Sequence, residues 1–422
     1  MNEADLGLLL RPATLELIDA IGPLASSDDA AAAVSRLRRE GHPADVVAVA
    51  VTQARLRARA ATKFGAAAAA MLFTEDGLQQ ATRLPVAERH AARWRDAGIN
   101  RVADLGCGIG ADALANARAG TAVLAVDLDP ATAEIARHNL GTFPVAEVRV
   151  AAAESVDLSD VGGVWLDPAR RPRTKGARAA PTRGTAIAGP ERLRPEDWSP
   201  SLDFAFGLGD RLPTGVKLGP GMDRDLIPAD AEAQWVSAGG ELVELVVWLG
   251  SVARPGIRRA ALVLGRDGAA SELTAAEDAP DVDPGPLGAV LVEPDSAVIR
   301  ARLIGQLARE LDAHARMLDP TIAWITLDAA PPPGRLGGLG DAFEVVAELP
   351  LDARTIRREL AARRIGAIEI KKRGVDLDPA AFRTALRLDP RAPRHGTGPG
   401  SPVLVATRIA GRRRAILATR LA

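Results

Sequence analysis

The stretch from Arg101 to Asp127, RVADLGCGIGADALANARAGTAVLAVD, gathers more residues able to do chemistry than any other part of the chain. Gly106, Gly108 and Gly110 stand between a short apolar run, Val102 to Leu105, and an alanine-rich stretch, Ala111 to Ala119, with helical character. Such glycines let the backbone turn tightly and approach a ligand closely, and the helix N-terminus behind them is mildly positive. Asp127 closes a second apolar strand, Ala122 to Val126. A carboxylate about 20 residues past the first glycine is suited to accept hydrogen bonds from ribose hydroxyls. Two more groups stand at strand ends, where a parallel sheet places its reactive residues. One is Asp167-Pro168-Ala169-Arg170, after Gly163 to Leu166. The other is Lys217 with Asp223, around the Gly219-Pro220-Gly221 turn that follows Thr214 to Leu218.

The elements that must position these residues form a strand–turn–helix–strand unit. GCGIGA also fits the dinucleotide pattern G-x-G-x-x-G/A, so a nicotinamide-binding fold is the first rival, and a glycine turn without a ligand is the second. Asp104, two residues before the first glycine, points elsewhere. An anion there sits badly beside a pyrophosphate and well beside the amino group of a methionine moiety. The pattern D-x-G-x-G-x-G from Asp104 to Gly110 resembles motif I of the class I S-adenosylmethionine (SAM)-dependent methyltransferases. That resemblance implies SAM as cofactor, held by Asp104, Gly106, Gly108, Gly110 and Asp127, with Glu154 after the third strand at the adenine edge. It also implies a seven-stranded Rossmann-like sheet, an α/β fold.

Asp167-Pro168-Ala169-Arg170 resembles motif IV of methyltransferases that modify nucleic acids. The resemblance implies Asp167, Pro168 and Arg170 as catalytic residues that hold an exocyclic amine in line with the sulfonium methyl. Proline fixes the backbone there, leaving the strand-end carbonyl and the Asp167 carboxylate to accept from the amine. Ala169 stands where that family has a second proline, a departure that counts against an amino-group target. Cys107 is the sole cysteine and lies inside the glycine turn. Methylation at a pyrimidine C5 needs an attacking thiolate on the other side of the methyl group, so direct in-line transfer is expected instead.

Composition sets the frame. The 422 residues are 47% hydrophobic and 25% charged, which is ordinary for globular domains. One cysteine allows no internal disulfide and no Cys-based zinc cluster, and no metal is expected. No apolar run reaches the length of a membrane span, and MNEADLGLLLRP lacks a signal-peptide pattern, so the expected location is the cytoplasm. Residues 1 to 85 are expected to form a helical domain, with Ser26 to Asp29 capping a helix that runs to Arg39. Within it, Phe73 to Thr82, FTEDGLQQAT, is either a lid over the cofactor or a helix cap and turn. The methyltransferase-like domain is expected over 86–270, ending in an antiparallel hairpin of Leu242–Leu249 and Arg259–Leu264. A Pro/Arg/Gly-rich loop is expected over Pro172 to Pro190, and a linker over 266–288. A second α/β domain follows over 283–422, including a helix from Ala297 to Met317.

Charge is unevenly spread. The net value is −1, yet Leu351 to Ala422 carries 17 Lys and Arg against 6 Asp and Glu. Such asymmetry points to a polyanion partner or to a basic face that compensates acidic neighbours. Lys371, Lys372 and Arg373, with Arg412 to Arg414, supply the cluster. Phe382 is the only aromatic residue after Phe343, so RNA contact would rest on phosphate and helix shape. The helical N-terminus, FTEDGLQQAT, DLGCGIG, LDPARR and the tail with EIKKRGVD together resemble a bacterial group of SAM-dependent methyltransferases carrying a C-terminal THUMP-like domain. THUMP domains elsewhere bind structured RNA, so the resemblance implies methylation of a base nitrogen of tRNA or rRNA, with Lys217, Lys371, Lys372 and Arg373 contacting substrate. A protein or small-molecule acceptor, and an RNA-binding protein with a weak or silent methyltransferase domain, are the alternatives.

Overall fold

Helices α1 (Glu3–Leu9), α2 (Pro12–Ile21), α3 (Ser27–Arg39), α4 (Ala44–Phe64), α5 (Glu75–Gln80) and α6 (Leu84–Asp96) precede the first strand in the computed structural model. The structure describes residues 3–170, 196, 198–388 and 400–421, the Arg170 side chain apart. The Pro172–Pro190 loop expected from sequence lies outside the described residues. Ser26 caps α3 in a reciprocal capping box with Asp29, as its sequence requires. The long helix α4 buries Val47, Ala50, Val51, Ala54 and Leu56. Its two buried polar residues, Gln53 and Arg57, point at the backbone of the segment before α5.

Alternation then begins: β1 (Arg101–Leu105), α7 (Ala111–Arg118), β2 (Ala122–Asp127), α8 (Pro130–Leu140), β3 (Ala146–Val150) and β4 (Gly163–Leu166). A two-residue pair, β5 (Ala169–Arg170) and β6 (Trp198–Ser199), leads through α9 (Leu202–Gly207) to β7 (Thr214–Leu218). Next come β8 (Glu232–Ala238), β9 (Glu241–Leu249), β10 (Arg259–Leu264) and β11 (Ala270–Ala275). The nine-stranded sheet has the order β11-β10-β8-β9-β7-β4-β1-β2-β3. β1 pairs in parallel with β2 and β4, β2 with β3, and β4 with β7. The carboxyl ends of β1, β2, β4 and β7 therefore open on one edge.

Two strands and one connection differ from the sequence expectation. β8 is buried throughout, but Glu232, Gln234 and Ser237 interrupt its apolar signal. β11 lies in the stretch expected as a linker, and only Leu273 of its six side chains is fully buried. β9 and β10 do not form the expected hairpin. The chain turns instead between β8 and β9 at Gly239-Gly240, both at positive φ, and β10 pairs with β8 in parallel. In the interior Trp165 and Trp248 close over Gly215, where a Cβ would come within 2.7 Å of Trp165.

The second sheet begins with β12 (Val290–Pro294), followed by α10 (Ser296–Arg300), α11 (Ile304–Leu311), β13 (Arg316–Asp319) and β14 (Ile322–Leu327). The expected helix from Ala297 to Met317 is thus two short helices and a strand. Arg302, with φ at 58°, ends the first of them, a left-handed residue that no glycine announces. β15 (Gly340–Pro350), α12 (Ala353–Ala362), β16 (Glu369–Lys372), α13 (Pro379–Leu386), β17 (Pro402–Ile409) and β18 (Arg412–Arg420) complete the chain. Their sheet has the order β13-β14-β12-β15-β18-β17-β16. The whole chain divides into two compact units, Met1–Ala231 with Val246–Arg254, and Glu232–Leu245 with Pro255–Ala422.

Candidate functional site

The glycine turn is built by strand ends. The amides of Gly106 and Cys107 donate to the carbonyl of Val126 at 2.8 and 2.9 Å, which clamps the turn to the end of β2. Gly106, Gly108 and Gly110 have φ of 90°, 54° and 81°, conformations that only glycine adopts without strain. A Cβ on Gly108 would meet nothing within 4 Å, so this face of the turn is open. One on Gly106 would lie 3.6 Å from the Asp167 carbonyl oxygen. The turn and the Asp-Pro end of β4 are therefore neighbours.

Asp127 ends β2 with its carboxylate over the turn. Oδ2 accepts from the Gly108 amide at 3.0 Å and Oδ1 from the Asp129 amide at 2.9 Å. Burial raises its pKa, and these backbone donors offset only part of the rise. Beside it Leu128 is 68% exposed, and Val150, in register with Asp127, is 48% exposed. Two exposed apolar side chains next to a ribose-type acceptor form a surface suited to a flat heterocycle. Glu154 lies in the short turn Ala153–Ser155 and lines a cavity of about 400 Å³ with Phe204, Leu208, Arg211 and Leu212. Asp104 is 2% exposed, and among the described residues its Oδ2 has no hydrogen-bond partner. Burial, then the neighbouring Asp112 and Asp167, push its pKa well up, against a smaller pull from Lys217. A buried carboxylate oxygen without a donor, next to an open glycine turn, fits the cationic amino group of SAM.

On the other side Asp167 directly follows β4, with Pro168 buried and Ala169 exposed. Lys217, expected from sequence as a substrate contact, is 8% exposed on β7. Its Nζ lies 2.6 Å from Asp167 Oδ2 and donates to Thr82 Oγ1 at 2.9 Å. Asp223 accepts from the Asp225 amide and caps a turn. Arg170 contributes its backbone to β5.

The FTEDGLQQAT segment is a capped helix packed on the glycine turn. Thr74 Oγ1 accepts from the Gly77 amide at 2.9 Å. A Cβ on Gly77 would come within 2.4 Å of Ile109 Cγ2, so only glycine lets α5 lie this close. Buried side chains pin the segment. Asn139 bonds both backbone groups of Leu72 and donates to the Ile109 carbonyl, while Gln53 bonds both backbone groups of Phe73. Lys63 Nζ donates to the carbonyls of Leu78, Gln79 and Ala81 at the end of α5. Sequence reasoning assigned no site role to His90, Asp112, Asn139, Leu128 or Val150, and reached Thr82 only as the end of the FTEDGLQQAT segment. Of the others only Leu128, next to Asp127, carried a local signal.

The basic residues of the second sheet cluster where β16, β17 and β18 run side by side. Lys371 and Lys372 pair with Val405 and Ala406, and Arg408 faces Arg413. Lys371 Nζ lies 2.6 Å from Glu293 Oε2 and 5.5 Å from the Phe343 ring centre, and Arg373 lies 3.6 Å from Glu293. Arg414 pairs with Glu348, and Arg420 with Asp341 and Glu369. Lys372, Arg412 and Arg413 are exposed.

A parallel β3-β2-β1-β4-β7 core, a glycine turn after β1 and acidic residues ending β1, β2 and β4 define a class I SAM-dependent methyltransferase. Comparison with known proteins agrees. Residues 103–164 match a methyltransferase domain, 340–420 a THUMP domain-like family and 3–60 a domain of unknown function. Uncharacterized S-adenosylmethionine-dependent methyltransferases from Mycobacterium tuberculosis strains CDC 1551 and H37Rv are each 34% identical over 343 residues, 79% of this chain and 87% of theirs. The crystal structure of a candidate methyltransferase from Porphyromonas gingivalis W83 covers 90% of this chain and 92% of its own. It does so at 20% identity with a TM-score of 0.67, a likeness of fold. The chain belongs to the bacterial class I SAM-dependent methyltransferases with a THUMP-like C-terminal domain. No helix among the described residues is long and apolar enough to cross a membrane, and none of their His, Cys, Asp and Glu side chains group into a metal site.

Proposed function

We propose that this methyltransferase acts in the cytoplasm on a base nitrogen of structured RNA, tRNA or rRNA. In this reading residues 1–85 are a helical domain, 86–270 the methyltransferase domain and 283–422 the THUMP-like domain that engages RNA. SAM, when bound, supplies a methyl group activated on a sulfonium. Asp104 holds its amino group, the Gly106–Gly110 turn gives it room, Asp127 accepts from its ribose, and Glu154 lies at its adenine edge. Asp167 accepts a hydrogen bond from the acceptor amine and so directs the nitrogen lone pair at the methyl carbon. Pro168 fixes the strand-end carbonyl for the same purpose, and Arg170 and Lys217 complete the acceptor side. Such a reaction needs positioning above all. The methyl group would pass from sulfur to nitrogen, leaving S-adenosylhomocysteine, and the proton lost by the nitrogen would pass to the Asp167 carboxylate or to water.

The observation that carries this reading is the approach of the Asp167 carbonyl to Gly106, which sets the acceptor-type motif beside the cofactor-type turn. The THUMP domain-like match and the exposed Lys372, Arg412 and Arg413 support RNA as the acceptor, with Lys371 and Arg373 ordered behind them. One observation favours a protein or small-molecule acceptor instead: Lys371 and Arg373 both pair with Glu293, as in a structural network. Methyl-labelled SAM, incubated with the protein and with RNA fractions from cells lacking it, separates the two. Label should enter one RNA class, at a base nitrogen. Label entering only protein or small molecules would overturn the RNA assignment.

A further inference from the structure

The Lys217 ammonium ends among oxygens in the interior of the first unit. It meets Asp167 Oδ2 at 2.6 Å and Thr82 Oγ1 at 2.9 Å. The Thr82 hydroxyl donates onward to Asp112 Oδ2 at 2.7 Å, and His90 Nδ1 lies 2.8 Å from Asp112 Oδ1. The His90 ring packs 4.4 Å from the Trp165 ring, against the tryptophan cluster. The run thus links Thr82, two residues past α5, the first turn of α7 and the middle of α6 to Asp167, the residue that follows β4. Among the described residues, the charged groups around it include Asp104 on β1, Asp127 ending β2, Lys63 on α4 and Arg83 before α6.

An amine withdrawn from water is costly unless its partners are good, so a chain that keeps lysine here gains something from its charge. Two effects follow from the geometry. An ammonium on one carboxylate oxygen restricts rotation of the group, which favours one direction for the other oxygen. It also favours the ionised form, the one that only accepts hydrogen bonds.

We propose, resting on the reading of Asp167 as the acceptor-facing residue, that Lys217 is a positioning residue for Asp167. It holds that carboxylate ionised and in one orientation, and Thr82, Asp112 and His90 hold the ammonium in turn. The segment ending at Thr82 thereby becomes part of the acceptor side, though its sequence lies before the cofactor turn.

The test is carboxyl carbon NMR of the full-length protein labelled with ¹³C-aspartate, with the Asp167 resonance assigned by its loss in Asp167→Asn. Lys217→Met should raise the Asp167 titration midpoint by about one pH unit or more, and Lys217→Arg should restore most of it. Thr82→Val keeps the ammonium but loosens it, so it should move the midpoint the same way by less, and it serves should Lys217→Met not fold. With labelled SAM and the RNA fraction defined above, Lys217→Met should lower kcat by about tenfold to a hundredfold with little change in the KM for SAM. An unmoved Asp167 midpoint in folded Lys217→Met and Thr82→Val overturns the proposal. Methyl transfer retained by Asp167→Asn, with the midpoint shift present, would instead overturn the acceptor assignment and leave the Lys217–Asp167 coupling standing.

Discussion

Asp104 works against the ligand-free fold. Its carboxylate is buried, one oxygen has no donor among the described residues, and its pKa is well above the usual range because of burial and the nearby Asp112 and Asp167. In the folded state it keeps its proton at a pH where the unfolded chain has released it, so folding stability falls as pH rises from the ordinary carboxylate range toward its raised value. Asp104→Asn should therefore stabilise the ligand-free protein near neutral pH and flatten that dependence, measured by thermal melts across pH. The same change should weaken SAM binding by about 1–3 kcal/mol, since a charge-assisted bond to the amino group is lost. Residues of this kind were legible because their meaning is local: Asp104, the three glycines and Asp127 sit at fixed offsets in one strand–turn–helix–strand unit. Lys217 was not legible in the same way. Its partner Thr82 is 135 positions away, and no spacing rule reaches that far.

Elements with strong punctuation were found close to their true limits. Gly163–Leu166, Thr214–Leu218 and Arg259–Leu264 match the expected bounds, and the Ala122–Val126 strand extends by one residue to Asp127. The failures share a cause, because there the pattern of apolar residues and the actual burial part company. β8 buries polar side chains, β11 buries almost none, and the Ala297–Met317 stretch keeps a helical composition across a left-handed break at Arg302. The FTEDGLQQAT segment is a case where one of two expected features is plain in the fold. Thr74 caps α5, and Gly77 lets it rest on Ile109 of the glycine turn. With Asn139, Gln53 and Lys63 holding its ends, this element packs on the glycine turn.

At the level of the entire chain the asymmetry of charge remains, but part of it is spent internally. Lys371, Arg373, Arg414 and Arg420 pair with Glu293, Glu348, Asp341 and Glu369. In the proposed reading, the exposed cations Lys372, Arg412 and Arg413 on the β16–β18 face would meet phosphate. Each phosphate contact contributes roughly 0.7–0.9 to the log–log dependence of affinity on salt. Changing all three to alanine should make the salt slope of RNA binding shallower by about 2–3 units, with SAM affinity unchanged. Equal slopes for the two proteins would assign this basic face to the fold of its own domain.

The proposed reaction divides labour between two aspartates: Asp127 toward the cofactor, Asp167 toward the acceptor. Calorimetric titration of SAM into folded Asp127→Ala and Asp167→Ala, paired with methyl transfer to the RNA fraction that the intact protein labels, measures it directly. Asp127→Ala should lose about 1–3 kcal/mol of SAM affinity, whereas Asp167→Ala should bind SAM as the intact protein does and transfer no methyl group. Unchanged SAM affinity in Asp127→Ala, or undiminished transfer by Asp167→Ala, would contradict it.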